Sequence, residues 1–225
     1  SSDYSDYSED SIIEQPAIAL FQSLGWQTMN CFYERFGQGG SIGRENTAEV
    51  VLIPRLQKAL QRLNPLLPSE ALHLAIQALT RDRSAMSLAR ASQETYSMLK
   101  NGVKVSYQAD GMEKTENVKL IDWSAPQNND YFLASQLWVT GELYKRRADL
   151  VGFVNGIPLV FIELKASHRR LENAFQDNLR DYKNTIPQLF WYNAFIILSN
   201  GSGSRIGSIT SEWEHFSEWK RINEE

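Results

Sequence analysis

Along the first hundred residues the apolar positions recur every three or four places. From Ser11, the residues Ile13, Ala17, Phe21 and Leu24 keep this spacing and Gly25 supplies a stop, which predicts an amphipathic helix. Pro16 falls in its first turn, where a missing N–H is harmless. Residues 37–46 read as a Gly-rich loop, and "PRLQKALQRLNP" sets Leu56, Ala59, Leu60 and Leu63 on one face of a short helix bracketed by prolines. "PSEALHLAIQAL" opens with Ser69 as an N-cap, and "SLARASQETYSMLKNG" closes on Asn101 and Gly102, suited to a left-handed C-cap. The front of the chain therefore reads as a helical layer.

After Gly102 the period changes to two. "VKVSY", "NVKLIDW", "YFLASQLWV" and "AFIILSN" read as strands, and "RRADLVGFVNGIPLVFIELKAS" reads as two more, joined by Asn155 and Gly156. Between the last two strands, Leu171, Phe175, Leu179 and Tyr182 return to helical spacing, so a helix crosses over the sheet before Pro187. The stretch from Trp213 to Trp219 suggests a final helix. Ser, Asp and Tyr without periodicity make residues 1–10 a disordered tail or an expression remnant. The expected organisation is one α/β domain over 11–225, with a helical layer at about 11–102 and a sheet core at about 103–225.

Composition changes this picture little. At 225 residues, 42% hydrophobic and 22% charged, the chain can bury a real core. No apolar run reaches membrane-spanning length and the N-terminus lacks a signal-peptide profile, so the expectation is a cytoplasmic protein with no membrane partner. Cys31 is the only cysteine, which excludes an internal disulfide and a cysteine-based zinc cluster.

Charge is more informative. Five acids (Asp3, Asp6, Glu9, Asp10, Glu14) lie in the first fourteen residues; setting them aside leaves 22 of the 27 acids against 23 Lys and Arg, so the net −4 becomes +1 for the body. Lys145, Arg146, Arg147, Lys165, Arg169 and Arg170 gather around the hairpin against only Asp149 and Glu163.

Those two acids sit inside otherwise apolar strands, where a buried carboxylate costs on the order of several kcal/mol unless something offsets it. Alternation points Glu163 and Lys165 to one face and Ile162 and Leu164 to the other. A strict two-residue loop at Asn155 and Gly156 would place Asp149 opposite Ile162, on the wrong face. A three-residue loop ending in a G1 bulge at Gly156 would set it opposite Phe161, diagonal to Glu163, and this bulged turn is the expectation. Two converging carboxylates beside a lysine make a hard-cation site suited to Mg²⁺, which favours carboxylates, water and phosphate oxygens and activates water for in-line displacement. Lys165 would orient the attacking water or neutralise the phosphorane's charge, and the carbonyl of Leu164 would be a further oxygen ligand. The same triplet also occurs as a charged edge strand that discourages aggregation, but Val160, Phe161 and Ile162 favour an internal strand.

These residues resemble the N-terminal nuclease region of the R (restriction) subunit of type I restriction enzymes, with its PD-(D/E)xK core. "RRADLVGFVNGIPLVFIELK" is similar to that family's signature block, "EVVLIPRLQKALQRLNP" and "LIDWSAPQNNDYF" to its upstream blocks, and "IPQLFWYNAFIILSNG" with "RIGSIT" to its downstream blocks. The resemblance implies a restriction-endonuclease-like mixed β-sheet flanked by helices. It implies that Asp149 and Glu163 hold the metal and that Lys165 completes the catalytic set, with Ala148 standing where proline is usual. Glu14 resembles the first-helix acid of such nucleases, a role that competes with simple helix N-terminal stabilisation. Asn178 and Tyr182 match a Gln-xxx-Tyr pair, with asparagine in place of glutamine and Gln176 as a substitute. The family continues into an ATP-driven translocase, whose GxxxxGK[ST] motif this chain lacks, so the expectation is an isolated nuclease portion whose partners are double-stranded DNA and the modification and specificity subunits.

Arg146, Arg147, Arg169 and Arg170 would contact phosphate without reading sequence, and His168 would touch a phosphate or be a plain strand-end residue. His73 and His215 read as surface residues, Ser202, Ser204 and Ser208 lack a spaced histidine partner, and Trp191 and Tyr192 are core or base-stacking residues. The leading expectation is an Mg²⁺-dependent endonuclease domain cutting DNA non-specifically. An idle docking module and a standalone repair or recombination nuclease are the alternatives.

Overall fold

The computed structural model describes residues 14–166, 170–192, 195–200 and 203–218. Helix α1 covers 14–23 and is followed by β1 (Gln27–Asn30), α2 (Ile53–Leu63), α3 (Ser69–Leu79) and α4 (Leu88–Asn101). Strands β2 (Val103–Ala109), β3 (Met112–Val118), β4 (Tyr131–Thr140), β5 (Lys145–Val154) and β6 (Ile157–Leu164) come next. A composite helix α5 then runs through Leu171–Asn173, Ala174–Leu179 and Arg180–Thr185, its middle wound as a π-helix, before β7 (Phe195–Ser199), β8 (Ser204–Gly207) and β9 (Ser217–Glu218).

Among the described residues, seven strands form one mixed sheet in the order β1-β4-β5-β6-β7-β8-β9, parallel at β1/β4 and β6/β7 and antiparallel elsewhere. The parallel β6/β7 pair requires a crossover, and α5 supplies it. On one face Ala17, Ile18 and Phe21 of α1 cover Leu133, Leu150 and Ile162. The other face, with Val151 and Phe161, joins the main core of Leu56 and Leu60, Ile76 and Leu79, and Phe175 and Leu179. The sheet is thus covered on both sides by helices, and the charged hairpin lies at its centre.

The elements depart from the sequence expectations at several points. β1, within the stretch read as helical, is a strand of the main sheet; it is short, polar and paired with β4. β2 and β3 form a separate antiparallel ribbon, and the strand expected at "NVKLIDW" ends at Val118 instead of continuing to Trp123. Ser69 does not cap α3: Pro68, with extended ψ of 157°, takes the N-cap position and Ser69 is already helical. Ser87 caps α4 by accepting the Arg90 N–H. Gly102 has φ 82° and ψ 177°, a region open to glycine alone and not the left-handed helical cap. Leu24 is exposed, past the end of α1, and the expected final helix is a single turn at Trp213–His215 followed by β9. Ile13 lies outside the described residues.

The hairpin itself corrects the expected turn. Val154 pairs with Ile157, leaving Asn155 and Gly156 as a two-residue loop, both with positive φ (52° and 79°) as a type I′ turn requires. The anticipated three-residue G1 loop does not form. The parity change comes from a bulge further along, where Phe153 pairs with Pro158 but Gly152 pairs with Val160, leaving Leu159 extra on β6. Proline has no N–H to give to a ladder, so a bulge beside Pro158 is where it is tolerated. Beyond the bulge, Val151 faces Phe161 and Leu150 faces Ile162, so the register carries Asp149 opposite Glu163.

Candidate active site

The ladder between β5 and β6 ends at Leu150 and Ile162. One step beyond, the N–H of Leu164 donates to Oδ2 of Asp149 at 2.8 Å, so a carboxylate fills the place of a backbone acceptor and the two strands part around it. Asp149 is 8% and Glu163 2% exposed. Glu163 Oε1 accepts from Asn178 Nδ2 at 2.6 Å, whereas Oε2 is buried without a hydrogen-bond donor among the described residues. Burial, and next the charge of Asp149, push the Glu163 carboxyl well above the usual carboxylate range; the Asn178 hydrogen bond and the Lys165 charge oppose them.

Asn178 reaches Glu163 from the π-wound middle of α5, and it, not Gln176, makes this bond. Such widened turns recur at functional sites because they shift one side chain without ending the helix. Tyr182 donates to the Arg147 carbonyl at 3.1 Å, fixing α5 to β5, and its phenol is pushed up chiefly by burial and then by Glu163. Lys165 is half-buried; its backbone N–H bonds Ser199 O at 2.8 Å, and alternation places its side chain on the face of Glu163.

Glu14, at the start of α1, is 1% exposed and accepts from Gln136 Nε2. Among the described residues no three or more His, Cys, Asp or Glu form a metal-binding group, so Glu14 does not join Asp149 and Glu163 directly. Gln136 was not among the residues singled out by sequence. It stands between Ser135, paired with Leu150, and Leu137, paired with Ala148, and therefore opposite Asp149. It has φ 53°, is 0% exposed, and leaves Oε1 without a partner among the described residues. A left-handed non-glycine residue costs about 1–2 kcal/mol, and nothing in "ASQLW" announces it.

Of the predicted phosphate contacts, Arg146 is engaged by Asp181 at 2.7 Å, Arg147 lies over the rings of Phe32 and Trp138, and Arg170 is exposed just before α5. His168 and Arg169 lie outside the described residues. Trp191 and Tyr192 are buried core residues, and His73 and His215 are exposed. A cleft of about 870 Å³ lies between the 38–43 loop and α2 and includes neither Asp149 nor Glu163; the charged pair is the better candidate because its chemistry, not its volume, is unusual.

A hard divalent cation fits this pair. The orphaned Glu163 oxygen needs an electropositive partner, and two adjacent buried carboxyls need compensating charge. The donor set is all oxygen, as Mg²⁺ prefers, with the Leu164 carbonyl as a further expected ligand.

The chain is 34% identical over 220 residues to the type I restriction enzyme HindI endonuclease subunit of Haemophilus influenzae, covering 94% of this chain and 20% of that protein. It is 32% identical over 226 residues to the putative type I restriction enzyme MjaIXP endonuclease subunit of Methanocaldococcus jannaschii, covering 95% of this chain and 20% of that protein. The chain thus spans about a fifth of the length of these curated relatives. Residues 6–215 match the family described as type I restriction enzyme R protein N terminus, and the chain belongs to that family.

Proposed function

We propose that this chain is the Mg²⁺-dependent endonuclease portion of a type I restriction enzyme R subunit, built on a PD-(D/E)xK core and hydrolysing DNA phosphodiesters without sequence preference. The observation that carries the reading is the meeting of Asp149 and Glu163 in the gap between β5 and β6, with Glu163 desolvated and one oxygen unpartnered.

Asp149, Glu163 and the Leu164 carbonyl would hold the cation. When bound, Mg²⁺ would lower the pKa of a coordinated water and stabilise charge on the phosphoryl oxygens. The protein's own groups do the rest. Asn178 fixes the orientation of Glu163, and Lys165 places a positive charge beside the carboxyls, where it would orient the attacking water or a phosphate oxygen. Arg146, Arg147 and Arg170, with Arg169 and His168, would guide the DNA backbone by charge alone. Modification and specificity subunits and an ATP-driven motor would deliver DNA to this site.

The test uses the complete R subunit assembled with its partners. Glu163→Ala should abolish DNA cleavage while ATP hydrolysis and translocation continue. Cleavage at the normal rate by that variant would show the assignment to be wrong and leave a docking role for this region.

A further inference from the structure

Gln136 combines three features that a purely structural residue would not need together. Its left-handed backbone interrupts the internal strand β4 in the register position opposite Asp149. Its side chain is wholly buried, and its Oε1 has no hydrogen-bond partner among the described residues. Its Nε2 is committed to Glu14, itself buried at the start of α1. The amide turns its NH₂ group to Glu14 and its carbonyl oxygen away.

The backbone irregularity has a packing role. It lets Phe132 and Ala134 on one side, and Leu137 and Val139 on the other, all join the same core. That role needs only a residue tolerant of positive φ, and glycine would serve without burying an orphaned carbonyl. A buried acceptor with no donor calls for an unaccounted partner. Resting on the cation reading above, we propose that Gln136 contributes its amide oxygen to the cation site, directly or through a cation-bound water, and that Glu14 is the positioning residue that locks the amide. The first-helix acid then acts through Gln136 rather than as a ligand.

Titration of the metal-free full chain with Mn²⁺, followed by the electron paramagnetic resonance signal of free Mn²⁺, tests this without reference to cleavage. The wild-type chain should bind, and Glu163→Gln should lose binding. Gln136→Met keeps the length and apolar volume but removes the oxygen, and should weaken binding about 10- to 100-fold, the range seen for ligand-shell losses. Gln136→Asn keeps the amide and suits the left-handed backbone but withdraws the oxygen by one methylene; it should weaken binding similarly, and it decides the matter if the methionine variant does not fold. Wild-type Mn²⁺ affinity in a folded Gln136 variant would overturn the proposal alone. No binding by the wild-type chain would overturn the cation reading and this inference with it.

Discussion

Asp149 accepts the backbone N–H of Leu164 at 2.8 Å, so one carboxylate both closes the β5/β6 ladder and faces Glu163. These duties separate by substitution. Asp149→Asn keeps an oxygen for the Leu164 N–H and should leave the thermal midpoint within a few degrees, yet lose cleavage by at least about a thousandfold, the scale of removing a group that stabilises transition-state charge. Asp149→Ala leaves that N–H without its acceptor and should also destabilise by about 1–3 kcal/mol. Paired melting curves and cleavage assays read the two effects independently.

The Glu163 carboxyl, raised by burial and by Asp149, makes the metal-free chain pH-sensitive in a definite direction. A carboxyl that holds its proton more tightly folded than unfolded stabilises the fold fully below its unfolded pKa, about 4.3 for Glu, and that contribution is lost as pH rises through the elevated folded value. Glu163→Gln keeps the Asn178 contact without the charge. Its thermal midpoint should exceed that of the metal-free wild type at pH 8, by a few degrees if the penalty is about 1–3 kcal/mol, and match it near pH 4. Added Mg²⁺ should close the gap by stabilising only the wild type.

Asn178 lowers the Glu163 pKa through its 2.6 Å hydrogen bond. Asn178→Ala should move the acid limb of the pH–rate profile upward and reduce cleavage about 10- to 100-fold, the usual range for a residue that orients a metal ligand. A rate loss with an unshifted profile would mean that Asn178 serves only to pack α5.

The hairpin shows how far the sequence leads. Asp149, Glu163 and Lys165 stand out as charges within apolar strands, and the need for one extra residue between them comes from alternation. The extra residue's position does not, because Asn155 and Gly156 make an ideal two-residue loop while the bulge at Leu159 depends on Pro158 and on close packing of Trp26 and Val160 against Gly152. Helices α2 to α4 are legible from their apolar spacing, whereas β1 is not, since "QTMN" has neither alternation nor β-branched density. Gln136 is hidden for the same reason: its conformation comes from tertiary pairing with β5, not from local propensity.

Gly156 supplies a direct test of that turn. Its φ is 79°, and a Cβ there would lie 2.5 Å from Leu52 O and 2.9 Å from Leu56 N, backbone atoms at the start of α2 that cannot swing aside. Gly156→Ala should therefore cost more than the roughly 1–2 kcal/mol of the left-handed conformation alone, lowering the midpoint by about 2–4 °C per kcal/mol. Full stability would mean that the loop and α2 do not touch in solution.

Arg146 illustrates why a count of basic residues overstates the DNA-binding surface. Its Nε lies 2.7 Å from Asp181 Oδ2, with the two side chains 30% and 39% exposed, so its charge is already largely answered from α5. In the proposed DNA complex, phosphate must compete with Asp181 for it. Asp181→Asn removes the competitor while keeping a polar side chain of the same size. The variant should bind a non-specific duplex more tightly at low salt, and the slope of log affinity against log salt should steepen by about 0.9 for the one added phosphate contact. Arg146→Ala uncovers the Asp181 carboxylate and should weaken binding, most at low salt. Fluorescence anisotropy across a salt series measures each slope, and an unchanged slope in Asp181→Asn would place Arg146 outside the DNA path.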